Sequence, residues 1–519
     1  MHTLELIEKK TIMYTVMAVL FFSAVNQTIV GTTLPSIVSS LGGMEYFNWV
    51  FTIFMLTSSI SSILAGKLSD TYGRKPFFII GILTLSLASL MCGFSNTMIE
   101  LIIYRGFQGL GAGIIISLSF ASVGDLFLPR ERGRWQGLLT SVFGLSSLIG
   151  PTMGGYIVDH FDWHWIFWIF LPFGVVAFFV LLKFYPSKKH IPEKLPVDYS
   201  GILSFTISVS LLLYYLSILG IKPFSIARES LLITGIVFLA LFVYLERKAI
   251  DPILPPPLFY KNTYLISNVV SFFVGMGMFG VVIYIPFYMQ GPMQISATYS
   301  GIIMMCMTLS LVSLSSIVGN QITRTGKYKF IGIFGVLIML LGLLSMYFMN
   351  IDSSLLSIGF RVILFGAGLG IGFTVFTLSV QFEVSNRQIG IAVSSVQLFR
   401  QIGGTIGVAL LGGVFNTLMG ERKISLISGL SGGPSSDISK NLLNHPRILL
   451  DHQALKDLLM SADGESLNTL QSSILLLREN MGSVLNEVFL LSSGILVLAL
   501  FISFFLKEVS LESNEEKED

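Results

Sequence analysis

The sequence predicts an all-α membrane protein that crosses the bilayer about fourteen times. Hydrophobic residues make up 53% of the 519 residues and charged residues only 12%, unlike a soluble protein of this length. Apolar stretches of about 20 residues, enough helix to cross the hydrocarbon layer, recur from end to end. No stretch alternates like the strand of a membrane barrel, so each span must satisfy its backbone polar groups as a helix.

The spans are placed by these apolar stretches. Those of the first half are Ile12–Leu34, Phe47–Ala65, Phe77–Phe94, Ile99–Val123, Leu138–Val158, Ile166–Phe184, Tyr199–Leu219 and Ser230–Leu245. Those of the second half are Leu265–Tyr288, Tyr299–Val318, Phe330–Phe348, Leu355–Val380, Ile389–Leu418 and Val488–Phe505. The first apolar stretch is too long for a signal-peptide core, so we expect the first helix to be retained.

The remaining composition disfavours several classes of protein. The net charge is +2 and the basic residues form short clusters between apolar stretches, which argues against nucleic-acid binding. Cys92 and Cys306 lie inside apolar stretches, and the six histidines form no metal-spaced set. No phosphate-cradling loop is present, so ATP is not expected as a direct energy source. We expect no cofactor and no enzymatic activity.

The basic residues of the short loops fall on one side of the membrane. They are Lys9, Lys10, Lys67, Arg74, Lys75, Arg130, Arg132, Arg134, Lys183, Lys188, Lys189, Lys194, Arg247, Lys248, Lys261, Arg324, Lys327, Lys329 and Arg387. The short loops of the other side carry only Lys222 and Arg228. By the positive-inside rule both termini are cytoplasmic, and we expect a multi-pass protein of a bacterial-type cell membrane.

The segment from Gly420 to Glu487 is the one long polar connection, and the predicted topology places it outside the cell. Within it, Asp451–Met460 and Ser466–Asn480 have helical spacing of Leu and Ile, which predicts short amphipathic helices at the membrane surface. A variable loop with no direct role is the alternative.

Two sequence patterns occur in both halves. Gly66–Arg74 after the second span is echoed by Gly319–Lys327 after the tenth, with the same glycine spacing. Arg105 precedes a glycine triplet that is echoed after Arg361; the triplets are Gly109, Gly111 and Gly113, and Gly366, Gly368 and Gly370. The echoes predict two six-helix bundles in parallel repeat, with an extra helix pair between them.

This organisation divides the chain into four predicted parts. Residues 1–190 form an N-terminal six-helix bundle and 191–262 an extra two-helix segment. Residues 263–506 form the C-terminal bundle, which includes the extracytoplasmic loop 420–487, and 507–519 form an acidic cytoplasmic tail.

The loop after the second span resembles a known family signature. Gly66-Lys-Leu-Ser-Asp-Thr-Tyr-Gly-Arg-Lys75 is similar to the motif of the major facilitator superfamily between its second and third helices. Asp70 and Arg74 can pair across the bundle seam, and Asp125 lies within reach of Arg74. We expect this cluster to latch one state and to release in the other. A solvated turn whose charges only set topology is the alternative.

The fifth span carries a second resemblance. Gly144-Leu-Ser-Ser-Leu-Ile-Gly-Pro-Thr-Met-Gly-Gly155 is similar to the superfamily's antiporter signature, which is typical of exporters. Its Gly150 and Gly154 permit close approach of a neighbouring helix, and Pro151 weakens the backbone ladder and makes a pivot. Plain helix packing, without a bearing on transport direction, is the alternative.

The first span resembles the motif of the fourteen-helix drug:proton antiporters, a multidrug-efflux branch of the superfamily. The matching segment is Asn26-Gln-Thr-Ile-Val-Gly-Thr-Thr-Leu-Pro35. Relatives usually have an acidic residue at the position of Asn26, and asparagine cannot exchange a proton near neutral pH. The predicted spans hold no carboxylate near a helix centre; the acidic residues at their edges are Asp125, Glu229, Glu246, Glu383 and Glu487.

Arginines inside spans are costly and are therefore candidate functional groups. Arg105, with Gln108, lies in a sequence similar to the family motif associated with proton coupling; snorkelling to the outer surface is the alternative. Arg400 lies about three turns into the thirteenth span, near Gln397, and either lines the cavity or pairs within the bundle. Glu383 is a candidate partner or titrating group.

A substrate path is expected to have mainly apolar and aromatic walls. Phe279 and Tyr284 are candidates for an adaptable surface that accepts varied hydrophobic compounds, and Asn26 and Gln27 are candidate polar groups beside it. Contact with lipid or with neighbouring helices is the alternative for the aromatic residues.

The resemblance implies a monomeric exporter of amphipathic small molecules that exchanges them for protons across the lipid bilayer by alternating access. An exporter or uniporter of a specific endogenous lipid or metabolite, without proton coupling through the first helix, is the alternative that Asn26 favours. A membrane-embedded enzyme, or a sensor that binds through the Gly420–Glu487 loop, explains the motifs less well. Because Asn26 leaves Arg105 without a carboxylate, we expect neutral or anionic amphiphiles to be preferred over dications.

Overall fold

The computed structural model describes residues 6–127, 129–186, 199–218, 225–249, 256–384, 389–429, 446–450, 452–460 and 465–508. The helices of the first half are α1 (Leu6–Thr28), α2 (Val30–Leu41), α3 (Phe47–Tyr72), α4 (Arg74–Cys92), α5 (Met98–Leu126), α6 (Pro129–His160), α7 (Trp165–Trp168), α8 (Leu171–Phe184), α9 (Tyr199–Ile218) and α10 (Ile226–Lys248). Those of the second half are α11 (Asn262–Gln290), α12 (Ala297–Thr325), α13 (Lys329–Tyr347), α14 (Leu355–Glu383), α15 (Ile389–Gly429), α16 (His452–Met460) and α17 (Glu465–Ser503).

The helices confirm the predicted all-α membrane fold. Among the described residues, 13 helices are long and apolar enough to cross a membrane. The fourteenth predicted span is α9, a helix of 20 residues that contains the apolar stretch Ser200–Leu212. It packs along α10 and also contacts α3 and α15, so this pair lies against the seam between the two bundles.

The two bundles have the same internal arrangement. In the first, α3 packs on α5, α5 on α4, α1 on α6, and α8 on α4. In the second, the equivalent helices make the equivalent contacts: α12 on α14, α14 on α13, α11 on α15, and α17 on α13. The parallel repeat of six-helix bundles, predicted from the repeated glycines, is therefore present in the fold.

The repeated glycines occupy equivalent places. Gly73 follows α3 with φ of +89° and Gly326 follows α12 with φ of +68°, conformations that glycine adopts without steric cost. In each triplet, a Cβ on the first or third glycine would meet the backbone of α3 or α12, and a Cβ on the middle glycine would meet that of α4 or α13. The triplets therefore set the close spacing of three helices in each bundle.

The first span, predicted as one helix from Ile12 to Leu34, divides at Ile29, although the backbone of that residue stays helical with φ of −61° and ψ of −34°. It ends as α1 at Thr28 and resumes as α2 at Val30. Pro35 lies inside α2 and has no N–H, which removes one helical hydrogen bond close to the interruption. Thr28 Oγ1 also donates to the carbonyl of Ser146 in α6 over 3.1 Å, which ties the interrupted turn to its neighbour.

The helices beside the long loop extend well beyond the membrane. α15 has 41 residues and α17 has 39, so each is about 60 Å long, twice the thickness of the hydrocarbon layer. The prediction that Ser466–Asn480 forms a separate surface helix is wrong, because this segment is the start of α17. Arg422 and Glu487 form an ion pair that joins the two projecting helices. α16 confirms the other predicted short helix.

Candidate functional site

Hydrogen bonds join the two bundles in the half of the membrane layer that faces away from the chain termini, which we call the sealed half. Tyr284 Oη of α11 donates to Asn48 Oδ1 of α3 over 3.1 Å. Gln290 Nε2 donates to the carbonyl of Thr32 over 2.8 Å. Asp159 of α6 accepts hydrogen bonds from the first two N–H groups of α12 over 3.2 and 2.7 Å. By the predicted topology, the sealed half is the extracytoplasmic one.

An aromatic cluster closes the same half. The ring of Phe47 lies 4.7 Å from that of Phe287, 5.7 Å from that of Phe415 and 6.0 Å from that of Tyr284, measured between centroids. All four rings are almost completely buried. Tyr284, a predicted cavity residue, thus lies in a cluster that excludes water between the bundles.

The antiporter-like segment of α6 packs mainly inside its own bundle. A Cβ on Gly154 would lie 2.8 Å from the carbonyl oxygen of Ile29, and a Cβ on Gly150 would collide with the side chain of Thr28. Thr32 Oγ1 donates to the carbonyl of Pro151 over 2.8 Å. The motifs of the first and fifth spans, found separately in the sequence, therefore meet at the interruption between α1 and α2.

The next glycine of this segment makes the contact between the bundles. A Cβ on Gly155 would collide with the backbone of Ala297 at the start of α12. One turn away, a Cβ on Gly301 would lie 2.5 Å from the carbonyl oxygen of Pro151. The small residues therefore let α6 and α12 approach closely across the seam.

Arg105 is completely buried in the first bundle, so it does not snorkel to the outer surface. Its Nη1 donates to the carbonyl of Asn26 over 3.1 Å and to Gln108 Oε1. Its Nε donates to the carbonyl of Val50 over 3.3 Å. The guanidinium carbon lies 4.0 Å from the centroid of the Phe54 ring. These contacts hold the side chain in place among α1, α3 and α5.

Asn26 and Gln108 complete an enclosed polar network with Arg105. Gln108 Nε2 donates to Asn26 Oδ1 over 2.8 Å and to Ser89 Oγ over 2.7 Å. All of these side chains are buried, whereas the neighbouring Gln27 is half-buried. No described carboxylate takes part, and Nη2 of Arg105 has no hydrogen-bond partner within the described part of the chain. The network contains nothing that exchanges a proton near neutral pH.

Arg400 in the second bundle has a different environment. Its guanidinium carbon lies 3.9 Å from the centroid of the Phe373 ring in α14. The side chain is only half-buried, and no hydrogen bond or ion pair joins it to another residue that the structure describes. Gln397, one turn earlier on α15, is exposed. Polar side chains within a span face the bundle interior or a water-filled cavity rather than lipid.

The turn that follows Arg400 closes the space between the bundles. A Cβ on Gly404 would lie 2.6 Å from the ring of Phe279 and 3.4 Å from the methyl group of Met55 in the first bundle. Phe279 is buried. Arg400 and Gln397 therefore lie one and two turns from this contact, on the side of the chain termini.

Glu383 is not the partner of Arg400. It ends α14, and the Nζ of Lys261 donates to its backbone carbonyl over 2.6 Å. Its Oε2 is buried and has no hydrogen-bond partner among the described residues. In this structure, therefore, Arg400 does not pair with the carboxylate of Glu383.

The predicted latch lies partly outside the described residues. The side chains of Asp70 and Asp125 are not among them. Arg74 is described as the half-buried first residue of α4. The latch stays a prediction.

A turn of the long loop packs on the sealed half. Pro446–Leu450 contacts α2 in the first bundle and α11 in the second. Leu449 and Leu450 are buried, and Gln294 Nε2 donates to the carbonyl of Leu449 over 2.6 Å. This part of the loop thus touches both bundles, which an unattached variable loop would not do.

Sequence reasoning missed several residues of the sealed half and of the Arg400 site. Asn48 and Gln290 are polar residues at the ends of apolar spans, a signal that could have singled them out as candidates for contacts between helices. Phe47 and Phe373 carry no such signal, because the chain has 42 phenylalanines and most pack against apolar neighbours or lipid.

The fold and the repeated motifs define a class, and the sequence matches it directly. Residues 16–408 match the model of the Major Facilitator Superfamily. The chain belongs to this superfamily of membrane transporters, and the predicted resemblance is confirmed. It is a transporter and not an enzyme.

Relatives include transporters named for drugs. The chain is 35% identical over 98% of its length to the multidrug transporter protein MdtP of Bacillus subtilis, of which it covers 95%. It is 31% identical over 82% of its length to multidrug resistance protein 3 of the same organism, of which it covers 83%.

Solved structures share the fold. A bacterial homologue of the human lysosomal transporter Spinster, in an inward-facing and unoccupied conformation, has a TM-score of 0.64 at 13% identity, with 96% of this chain and 98% of that chain covered. A D-xylose-proton symporter has a TM-score of 0.55 at 14% identity, with 90% and 99% covered. These likenesses support the fold alone.

Proposed function

We propose that this protein exports amphipathic small molecules from the cell and that the two bundles rock about their seam to expose the path to each side in turn. The observation that carries the proposal is the asymmetry of the path. Aromatic rings and hydrogen bonds close the sealed half, whereas in the other half Gln397 is exposed and Arg400 is half-buried without a described hydrogen-bond partner. The relatives named as multidrug transporters support export.

We also propose that the proton gradient drives export. One proton moving through about 100 mV supplies roughly 2.3 kcal/mol, and a tenfold concentration ratio costs about 1.4 kcal/mol. Because the Asn26–Arg105 network has no carboxylate among the described residues, the exchanging group lies elsewhere. Glu383 is the candidate that the structure describes, since its Oε2 is buried and unpartnered, and Asp125 is the other.

Accumulation of dyes in cells tests the proposed export. Three strains are compared: one without the gene, one that overexpresses it, and one that overexpresses Asp70→Asn, which breaks the predicted latch. Each receives an anionic, a neutral and a cationic amphipathic dye. Overexpression should lower accumulation of the neutral or the anionic dye, and Asp70→Asn should restore it at equal amounts of membrane protein. Equal accumulation of every dye in all three strains contradicts export.

Proton flux in proteoliposomes tests the coupling. Addition of an exported dye should start a proton flux in the wild type, and Glu383→Gln should reduce it while binding of the dye persists. A dye flux that is unaffected by collapse of the proton gradient favours the second candidate, a uniporter of an endogenous lipid or metabolite. Asn26 is the observation that favours this candidate, because it removes the usual acid from the first span.

A further inference from the structure

Arg400 lies inside the membrane-spanning part of α15, one turn before the contact of this helix with the first bundle. It is 11 residues, or about 16 Å along the helix, after the start of α15. One turn further, Gly404 meets Phe279 and Met55. A molecule that enters between the bundles from the side of the termini therefore reaches Arg400 just before the closed seam.

The packing of α15 indicates which side of this helix lies toward the first bundle. Added Cβ atoms on Gly403 and Gly407 would collide with the carbonyl oxygens of Phe272 and Met276 in α11, so this side of the helix is pressed against its own bundle. Gln397, Arg400 and Gly404 lie on another side, which faces α3 of the first bundle at Gly404.

The guanidinium of Arg400 is held but not neutralised. Phe373 covers one face of the group at 3.9 Å, a contact that fixes the planar group and leaves its N–H edges free. No described carboxylate lies within ion-pair distance of the guanidinium, and the buried Oε2 of Glu383 makes no hydrogen bond to it. A charge at this depth without a counter-charge is costly, and an anion that binds there removes the cost.

Arg105 cannot serve as this site, although it also lacks a carboxylate. It is fully buried, and three of its hydrogen bonds go to groups of its own bundle. An anion would have to displace Phe54 or the network of Asn26 and Gln108 to reach it. We therefore expect an anion to bind at Arg400 in the second bundle and not at Arg105 in the first.

We propose that Arg400, supported by Phe373, binds the anionic head of an amphipathic substrate while Phe279 and Met55 contact its apolar body. Carboxylate, sulfonate and phosphate heads match the fork of N–H donors that a guanidinium offers. This inference rests on the proposed export function and names the substrate class of the same path.

Binding of three matched probes to the full chain in nanodiscs tests the inference without dependence on proton coupling. The probes are dansylaminoundecanoic acid, its methyl ester, and the corresponding alkyl amine. The wild type should bind the acid at least about tenfold more tightly than the ester, because hydrogen bonds to a charged group are added, and the amine most weakly. Arg400→Gln should bring the affinity for the acid down to that of the ester and leave the ester within about twofold.

Two further variants separate charge, geometry and general damage. Arg400→Lys keeps the charge but loses the planar fork, so it should retain part of the preference for the acid. Arg361→Gln is the matched control, since Arg361, in the second turn of α14, donates to the carbonyl of Ser345 in α13 and should keep the full preference. Ester binding by Arg400→Gln reports that the variant is folded.

The lipid is an alternative source of the anion. Nanodiscs of phosphatidylcholine alone are compared with nanodiscs that contain phosphatidylglycerol. Weaker binding of the acid in the presence of phosphatidylglycerol, abolished by Arg400→Gln, would identify the lipid headgroup as a competing ligand of the same site and would still support an anion site at Arg400.

The outcomes separate this inference from the proposed function. Tight ester binding without preference for the acid keeps an amphiphile path and overturns the anion site. The same follows if Arg400→Gln weakens all three probes equally or leaves the acid unchanged. Failure of the wild type to bind any probe contradicts both.

Discussion

The two bundles hold their intramembrane arginines in opposite ways. Arg105 and Arg400 each lie over a phenylalanine, at 4.0 Å and 3.9 Å from the ring centroid. Arg105 is completely buried and donates to three groups of its own bundle. Arg400 is half-buried and has no described partner besides Phe373. The depth of an arginine in a span therefore does not tell whether it can meet a substrate; its hydrogen bonds and its exposure do.

The same contrast extends to the helices around them. The sealed half joins the bundles through buried rings and short hydrogen bonds, whereas the exposed Gln397 lies in the other half. Alternating access requires that the sealed contacts break when the other half closes. The following predictions break or sharpen this comparison.

The largest effect is expected from a bulky side chain at Gly155, the glycine that brings α6 against α12. Gly155→Leu would collide with the backbone of Ala297 and should abolish dye export. Gly494→Leu is the matched control, because a Cβ at Gly494 has no neighbouring atom within 4 Å among the described residues and α17 should tolerate the side chain. Export by Gly155→Leu at the wild-type rate would place the moving seam elsewhere.

The second prediction separates Gly154 from Gly155. Gly154→Leu would collide with Ile29 inside the first bundle, so it should impair export by distorting the turn between α1 and α2. Gly155→Leu should disturb the contact between the bundles instead. Thermal melting of purified protein distinguishes them: Gly154→Leu should lower the melting temperature more. Equal lowering in both variants would contradict the two-faced packing of α6.

The third prediction compares the arginines as structural elements. Arg105→Met leaves Gln108 Oε1 and the other acceptors without their donor, which should cost about 2 kcal/mol. Arg400→Met removes no described hydrogen bond and should change stability by less than about 0.5 kcal/mol. Melting of both variants in detergent, without ligand, checks this difference. A larger loss in Arg400→Met would show that Arg400 is bound within its bundle.

The fourth prediction weakens the seal by one hydrogen bond. Tyr284→Phe removes the donor to Asn48, and the loss of about 1 kcal/mol should raise the population open toward the sealed half about fivefold. A charged thiol reagent added from that side should label Phe415→Cys, a buried position of the seal that leaves Asn48 in place, faster when Tyr284→Phe is also present. Tyr260→Phe, at a side chain that is 85% exposed, is the control and should leave labelling unchanged.

The smallest effect is expected from Asn26→Asp. From the sequence, this change should raise export of cations, because relatives carry an acid there. In the structure, however, Asn26 is fully buried beside Arg105, so the new carboxylate would pair with that guanidinium. Export of a cationic dye should therefore rise by less than about twofold. A large gain would show that the network opens to the path during the cycle.

Sequence patterns predicted the fold well where local chemistry decides it. The glycines Gly73 and Gly326 lie where the repeat placed them, because a left-handed turn and close helix contacts demand glycine at fixed spacing. The interruption at Ile29 and the continuity of Ser466–Asn480 with the last span were not predicted. Both depend on neighbours distant in sequence. Thr28, beside the interruption, donates to the carbonyl of Ser146, and the projecting part of the last helix is joined to α15 by the ion pair of Glu487 with Arg422.

The candidate site was predicted as a set of residues and not as an arrangement. Asn26, Arg105 and Gln108 form one network, but nothing in their spacing indicated that they are enclosed. Tyr284 was expected in the cavity and lies in the seal. Arg400 was left between two roles, and only its place over Phe373 and below Gly404 favours the path. Burial is a property of the packed bundles, so single-span reasoning does not reach it.

Thiol labelling of the two arginine sites tests the central claim most directly. In a background of Cys92→Ala and Cys306→Ser, single cysteines are placed at Arg400 and at Ser89, the buried hydroxyl that accepts from Gln108. A charged, membrane-impermeant reagent is added from the side of the termini, with and without dansylaminoundecanoic acid methyl ester. We expect Arg400→Cys to react and to be protected by the ester, and Ser89→Cys to stay unlabelled. Unreactive Arg400→Cys, or equal labelling of both cysteines, would contradict the account.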